Sequence, residues 1–115
     1  MKIEVVTGIR ASGKTVYCVS KLGNKHTLVI CENIRSKEYI KLYNEEVQFS
    51  IKNIDDVGKI IFSKHINKVI IDEFDFVKDF NLLIYLKSLL VDITLILHET
   101  MVIKTFNEKV IYFSR

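Results

Sequence analysis

The stretch from Gly8 to Thr15 constrains the fold of this 115-residue chain more than any other. It reads Gly-Ile-Arg-Ala-Ser-Gly-Lys-Thr and fits the pattern G-x-x-x-x-G-K-[ST] at every fixed position. The β-branched residues Ile3, Val5 and Val6 come just before it, and a helical pattern over Lys14–Leu22 follows. The sequence therefore predicts a strand that runs through a glycine-containing loop directly into a helix.

Strand and helix patterns alternate along the rest of the chain. Further strands are predicted at Leu28–Cys31, Val47–Ile51, Val69–Ile71, Ile93–Leu97 and Val110–Phe113. Helices are predicted from Asn33 or Ser36, either of which could cap, to about Tyr43; after the N-cap Asn53, with Asp55 and Asp56 in its first turn; and around Asn81–Leu90. We therefore expect one α/β domain over residues 1–115. Its core would be a doubly wound, mainly parallel sheet of about five strands with helices on both faces.

Composition supports a globular chain and excludes several other classes. The hydrophobic fraction is 49%, and no apolar run approaches the roughly 20 residues that span a bilayer. The first residues lack a signal-peptide core, and Cys18 and Cys31 form no metal motif. We expect a cytoplasmic protein with two buried, reduced thiols and no membrane association.

Net charge and amino-acid composition give little indication of the binding partners. The net charge is only +3, and the lysines are dispersed, which favours a solvated surface over a nucleic-acid face. DNA binding is thus unsupported by charge. Proline is absent while isoleucine, lysine and asparagine are abundant, a bias that fits an AT-rich genome such as that of a phage, a virus or a low-GC bacterium. For a viral protein the predicted location is the host cytoplasm.

The loop has the chemistry of a phosphate site. Its backbone N–H groups and the positive end of the following helix would converge on one point. Lys14 could then reach the β- and γ-phosphates, and the Thr15 hydroxyl could ligate Mg²⁺. The predicted ligand is a nucleoside triphosphate, with ATP as substrate. The predicted nucleotide-binding residues are Gly8, Ile9, Arg10, Ala11, Ser12, Gly13, Lys14, Thr15 and Val16.

A second candidate motif is Val69-Ile70-Ile71-Asp72-Glu73, an apolar strand that ends in two carboxylates. In a parallel sheet all carboxyl ends open onto one edge, so this pair should lie near the loop. Asp72 would face the Mg²⁺ held by Thr15, because hard cations prefer oxygen ligands. Glu73 could accept a proton from attacking water or a hydroxyl. Lys14 and Glu73 are therefore the predicted catalytic residues.

Together, Gly8–Thr15 and Val69–Glu73 resemble the Walker A and Walker B motifs of P-loop NTPases. The Glu beside the Walker B Asp resembles the additional-strand, catalytic-glutamate branch, which includes RecA-like and AAA+-like ATPases. The resemblance implies an extra strand between the two motif strands, which we expect at Leu28–Cys31 or Val47–Ile51. It also implies a polar γ-phosphate sensor at a strand end. His98 is a candidate sensor, with an ordinary surface role equally open.

The resemblance also bears on partners. The chain ends soon after its last predicted strand, so we expect no helical lid; a second subunit or a partner protein would supply the closing element. An arginine finger could come from Arg35 or Arg115, although exposure to solvent is the better expectation for both, and a role for Arg10 is not favoured. Phe74, Phe76 and Phe80 could stack on a base, but core or subunit-interface positions fit their spacing better.

A second resemblance leaves the acceptor open. Ile71-Asp72-Glu73-Phe74-Asp75-Phe76 is similar to the I-D-E-x-Q-F run of type II thymidine kinases, but Asp75 replaces the Gln, and the zinc-binding cysteines and lasso of that family are missing. The primary expectation is a minimal Mg-dependent P-loop ATPase that acts on DNA or with a partner protein. The alternatives are a thymidine-like nucleoside kinase and a non-catalytic nucleotide-binding module.

Overall fold

A parallel β-sheet forms the centre of the computed structural model, which describes residues 1–8, 13–98 and 109–113. Its strands within these ranges are β1 (Ile3–Gly8), β2 (Thr27–Cys31), β3 (Gln48–Ile51), β4 (Lys68–Ile71), β5 (Asp92–His98) and β6 (Lys109–Phe113). They lie in the order β3-β2-β4-β5-β1-β6, and each neighbouring pair is parallel. The parallel α/β class predicted from the sequence is confirmed, with six strands where about five were expected.

Helices cover both faces of the sheet. Helix α1 (Lys14–Tyr17) continues into a π-helical turn at Cys18–Leu22, and the others are α2 (Ser36–Tyr43), α3 (Ile54–Ser63) and α4 (Phe80–Ser88). Neighbouring residues of β1, β2, β4 and β5 point to opposite faces, so each of these strands contributes side chains to two separate cores. Val5 and Leu95 pack with α3 and α4, whereas Val6 and Ile96 pack with the α1 segment and α2. A hydrophobic core on each face of the sheet is typical of a doubly wound fold. In the described part of the chain, no helix has the length and apolar character needed to cross a membrane.

The strand between β1 and β4 is β5, so the prediction that Leu28–Cys31 or Val47–Ile51 would lie there is wrong. Right-handed crossovers explain the order. The α1 segment and α2 lie on one face and carry the chain to β2 and β3 on one side of β1. Helices α3 and α4 lie on the opposite face, so the same handedness carries the chain back through β4 and β5 towards β1.

Two local predictions have opposite outcomes. The Asn53 cap is confirmed, since its side chain accepts a hydrogen bond from the Asp56 N–H at 3.1 Å. The expected cap of α2 by Asn33 or Ser36 is wrong: the N-cap position is Arg35, with no side-chain cap bond. The Asn33 side chain instead accepts from the Arg35 N–H at 2.8 Å and closes a turn ahead of the helix, a local bond that Asn favours.

The cysteines behave as expected. Cys18 and Cys31 are free and buried, both in the core on the α1 and α2 face. Burial raises the pKa of each thiol to about 12, because the charged thiolate loses its hydration there. Neither thiol is therefore a nucleophile at neutral pH.

Candidate functional site

Both sequence motifs meet at the carboxyl edge of the sheet. Strand β1 ends at Gly8, where the loop begins, and β4 ends at Ile71, immediately before the carboxylate pair. Only β5 lies between them. Its last residue, His98, is in register with Gly8, so the backbone of the candidate sensor lies beside the start of the loop.

The described end of the loop is shaped by Gly13 and Lys14. Gly13 has a φ of 90°, in the left-handed region that residues with a Cβ rarely adopt, and the chain turns there into α1. The Lys14 ammonium donates a hydrogen bond to the Gly8 carbonyl at 2.7 Å, and Lys14 is only 7% exposed. This bond ties the two ends of the loop together. Four of the predicted nucleotide-binding residues, Ile9, Arg10, Ala11 and Ser12, lie outside the described residues.

Thr15 and Asp72 form the link between the two motifs. The Thr15 hydroxyl donates to Asp72 Oδ1 at 2.9 Å, although the two residues are far apart in sequence. Burial raises the pKa of Asp72 above its ordinary value; the bond from Thr15 opposes this shift, and the charge of Glu73 adds to it. Asp72 is partly buried, so a cation at this point would offset the hydration that its carboxylate loses.

The donors at this point fit Mg²⁺ and do not fit a metal held by protein alone. Thr15 and Asp72 offer a hydroxyl and a carboxylate oxygen, the ligand type that magnesium prefers. Among the described residues, no group of three or more His, Cys, Asp or Glu side chains could hold a metal ion. Mg²⁺ commonly binds through one or two protein oxygens, with phosphates and water completing the shell. The residues present are consistent with that arrangement.

Glu73 is exposed beside this pair, on a strained backbone. Its φ is 48°, a left-handed value that costs a non-glycine residue about 1–3 kcal/mol. The flanking amides are held by the sheet: the Asp72 N–H donates to the Ile30 carbonyl and the Phe74 N–H to the Ile96 carbonyl, both at 2.9 Å. The turn that carries the carboxylates is thus fixed between β2 and β5.

Lys52 belongs to the same edge, and sequence reasoning missed it. Its ammonium lies 2.8 Å from the Glu73 carbonyl oxygen, 2.9 Å from Asp79 Oδ2 and 3.2 Å from Glu32 Oε2. Burial opposes its charge, yet the pKa of Lys52 is raised by the hydrogen bonds and charges of the two carboxylates. One feature of the sequence does indicate that Lys52 lies at this edge. Glu32, Lys52 and Asp72 are each the first residue after a strand, so in a parallel sheet they share an edge.

The remaining candidates are dispersed. Arg35 is exposed ahead of α2, while Arg10 and Arg115 lie outside the described residues. Phe74 is a core residue, as favoured from the sequence, and Phe76 packs edge-to-face on it with ring centres 5.1 Å apart. Phe80 is 54% exposed.

Asp75, which stands where the thymidine-kinase run has Gln, is engaged in a local turn. Its Oδ1 accepts from the backbone N–H groups of Val77 and Lys78, at 2.8 and 3.0 Å. Those two bonds lower the pKa of the Asp75 carboxyl, which lies at the surface. Its side chain therefore stabilises the loop between β4 and α4.

The edge brings together an ammonium, a hydroxyl, a partly buried carboxylate and an exposed carboxylate. Such a set can neutralise phosphate charge, hold a hard cation and accept a proton. No protein-family model and no curated protein matches this chain. The functional assignment therefore depends on these residues and their geometry.

Proposed function

We propose that this chain is a P-loop NTPase that binds Mg·ATP at the loop after β1 and hydrolyses it. The observation that carries the proposal is the 2.9 Å hydrogen bond from Thr15 to Asp72. It joins the hydroxyl of the G-K-T sequence to the first carboxylate after β4, the two groups from which a Walker-type magnesium site is made. The loop pattern alone does not account for a carboxylate at the end of β4 that accepts a hydrogen bond from that hydroxyl.

Each residue has a role in this proposal. Lys14, released from the Gly8 carbonyl, binds the β- and γ-phosphates, while Thr15 and Asp72 would hold Mg²⁺. The cation supplies charge neutralisation at the phosphate oxygens. Glu73 orients a water molecule and accepts its proton. As the water oxygen bonds to the γ-phosphorus, the bond to the β-γ bridging oxygen breaks, and ADP leaves with that electron pair.

Water is favoured over a nucleoside as acceptor. The exposed Glu73 suits a proton acceptor for either, but Asp75, at the position of the thymidine-kinase Gln, uses its carboxylate in a local turn. The experiment must therefore distinguish ATP hydrolysis from nucleoside phosphorylation and from nucleotide binding without turnover.

The test combines calorimetry with product analysis. Lys14→Ala is expected to weaken Mg·ATP binding by about 10- to 100-fold, since it removes charge-assisted hydrogen bonds to phosphate. Glu73→Gln is expected to keep the affinity and to lower phosphate release by about 10²- to 10⁴-fold. Lys59→Ala and Glu46→Gln are matched controls, because Lys59 is exposed in the middle of α3 and Glu46 is exposed in the turn before β3, at the opposite edge of the sheet. Assays run with and without thymidine, and with and without single- or double-stranded DNA.

Each outcome has a distinct meaning. Phosphate release that needs no nucleoside and depends on Lys14 and Glu73 supports the ATPase. Formation of thymidine monophosphate identifies a kinase instead. Tight binding with neither product identifies a non-catalytic module, and unchanged affinity in Lys14→Ala removes the loop from the site.

A further inference from the structure

The peptide group between Glu73 and Phe74 is held at both of its polar atoms. Its carbonyl oxygen accepts a hydrogen bond from the Lys52 ammonium at 2.8 Å, and its N–H donates to the Ile96 carbonyl of β5 at 2.9 Å. The first bond comes from the end of β3 and the second from the strand between the two motifs. Because both polar atoms are hydrogen-bonded, this peptide group cannot rotate without breaking one of the two hydrogen bonds.

Lys52 is itself held in place. Its side chain is 10% exposed, and Asp79, which it contacts at 2.9 Å, is 6% exposed. With Glu32 at 3.2 Å, three acceptors surround a group that has three N–H donors. The same Asp79 oxygen also accepts from the Asp75 N–H at 2.9 Å, so Asp79 links Lys52 to the middle of the loop between β4 and α4.

The residue before this peptide has an unfavourable backbone conformation. Glu73 holds a φ of 48°, a conformation that persists only where its surroundings enforce it. We propose that Lys52 is a positioning residue: by binding the Glu73 carbonyl it holds the left-handed turn and directs the Glu73 carboxylate to the water that attacks ATP. This inference rests on the proposed ATPase function for its catalytic part. The anchoring of the peptide can be measured without it.

The principal variant is Lys52→Met, which keeps the length of the side chain and removes its donors. We expect kcat to fall about 10- to 100-fold, because small displacements of a catalytic group have effects of that size, with Mg·ATP affinity changed less than about threefold. Amide exchange of Phe74 should become at least about tenfold faster, since its peptide is released on one side. Lys41→Met is the matched control: its ammonium also binds backbone carbonyls, those of Glu45 and Val47, at the end of α2.

A second variant separates positioning from simple loss of stability. Lys52→Met leaves the Asp79 carboxylate buried without its cation, and this is expected to lower stability. Adding Asp79→Asn removes that charge while keeping an oxygen for the Asp75 N–H. We expect the double variant to regain most of the thermal stability, while kcat stays low and Phe74 exchange stays fast, because the Glu73 carbonyl is still unbound.

The possible results separate the anchoring of the Glu73–Phe74 peptide from the proposed ATPase function. Unchanged Phe74 exchange in Lys52→Met overturns the inference, as does recovery of kcat together with stability in the double variant. A wild-type chain that binds but does not hydrolyse ATP refutes the proposed function. In that case, faster Phe74 exchange in Lys52→Met still supports the anchoring, and slow exchange refutes it.

Discussion

Two residues at the candidate site hold left-handed backbones, with opposite consequences. Gly13 has a φ of 90° at the entrance to α1, and Glu73 has a φ of 48° after β4. Glycine adopts this region without steric cost, whereas glutamate is strained there. Strain of this kind is kept where surrounding contacts impose it and commonly marks a functional position. The site thus combines a loop that needs glycine with a carboxylate held against its own preference.

Gly13→Ala tests the backbone requirement of the loop. Among the residues that the structure describes, none has a heavy atom within 4 Å of a Cβ placed here, so the substitution introduces strain without a clash against them. We expect the free energy of unfolding to fall by about 1–2 kcal/mol and Mg·ATP binding to weaken, because alanine disfavours this φ. Urea unfolding and calorimetry measure the two effects. Equal stability and affinity in variant and wild type would mean that the loop does not require a left-handed residue here.

Among the elements, α3 begins with a cap that can be measured by itself. Asn53→Ala removes the side-chain bond to the Asp56 N–H at 3.1 Å, and we expect a loss of about 1 kcal/mol in the free energy of unfolding. Asn33→Ala is the matched control, since Asn33 closes a turn ahead of α2 and does not cap it. Its expected effect is within about 0.5 kcal/mol. Equal losses from both substitutions would contradict the assigned difference.

The elements also show what the sequence could and could not predict. Local patterns predicted strand and helix positions well, because apolar spacing and capping residues such as Asn53 act within a few residues. The neighbours of β1 were not predictable in the same way. The apolar run at Ile93–Leu97 resembles that at Leu28–Cys31, and only the face on which each helix packs decides which strand lies beside β1.

The same distinction applies to the site. Thr15 and Asp72 belong to recognisable motifs, so their contact could be predicted as soon as a parallel sheet was assumed. Lys52 belongs to no motif, and its three acceptors come from separate parts of the chain. A single lysine after a short strand gives no local sign of such partners. Lys52 meets these acceptors because β3, β2 and β4 are neighbours in the sheet.

For the molecule as a whole, the two buried thiols predict a loss of stability in alkali. Cys18 and Cys31 have pKa values of about 12 in the folded chain, against an ordinary value of 9.0. Above about pH 9 the unfolded chain releases these protons first, so it binds fewer protons than the folded chain and becomes favoured. The stabilising effect is complete below pH 9 and is lost as the pH rises towards 12.

The variant Cys18→Ala/Cys31→Ala isolates this effect from other groups that titrate in alkali. By pH 10.5 each thiol should lower the free energy of unfolding by about 2 kcal/mol, on the basis of about 1.4 kcal/mol per pH unit. Urea midpoints at pH 8 and pH 10.5 should therefore decrease much more in the wild type than in the double variant. The comparison uses the change with pH, so a constant loss from the smaller side chains does not affect it. An equal decrease in both proteins would show that burial of the thiols does not control alkaline stability.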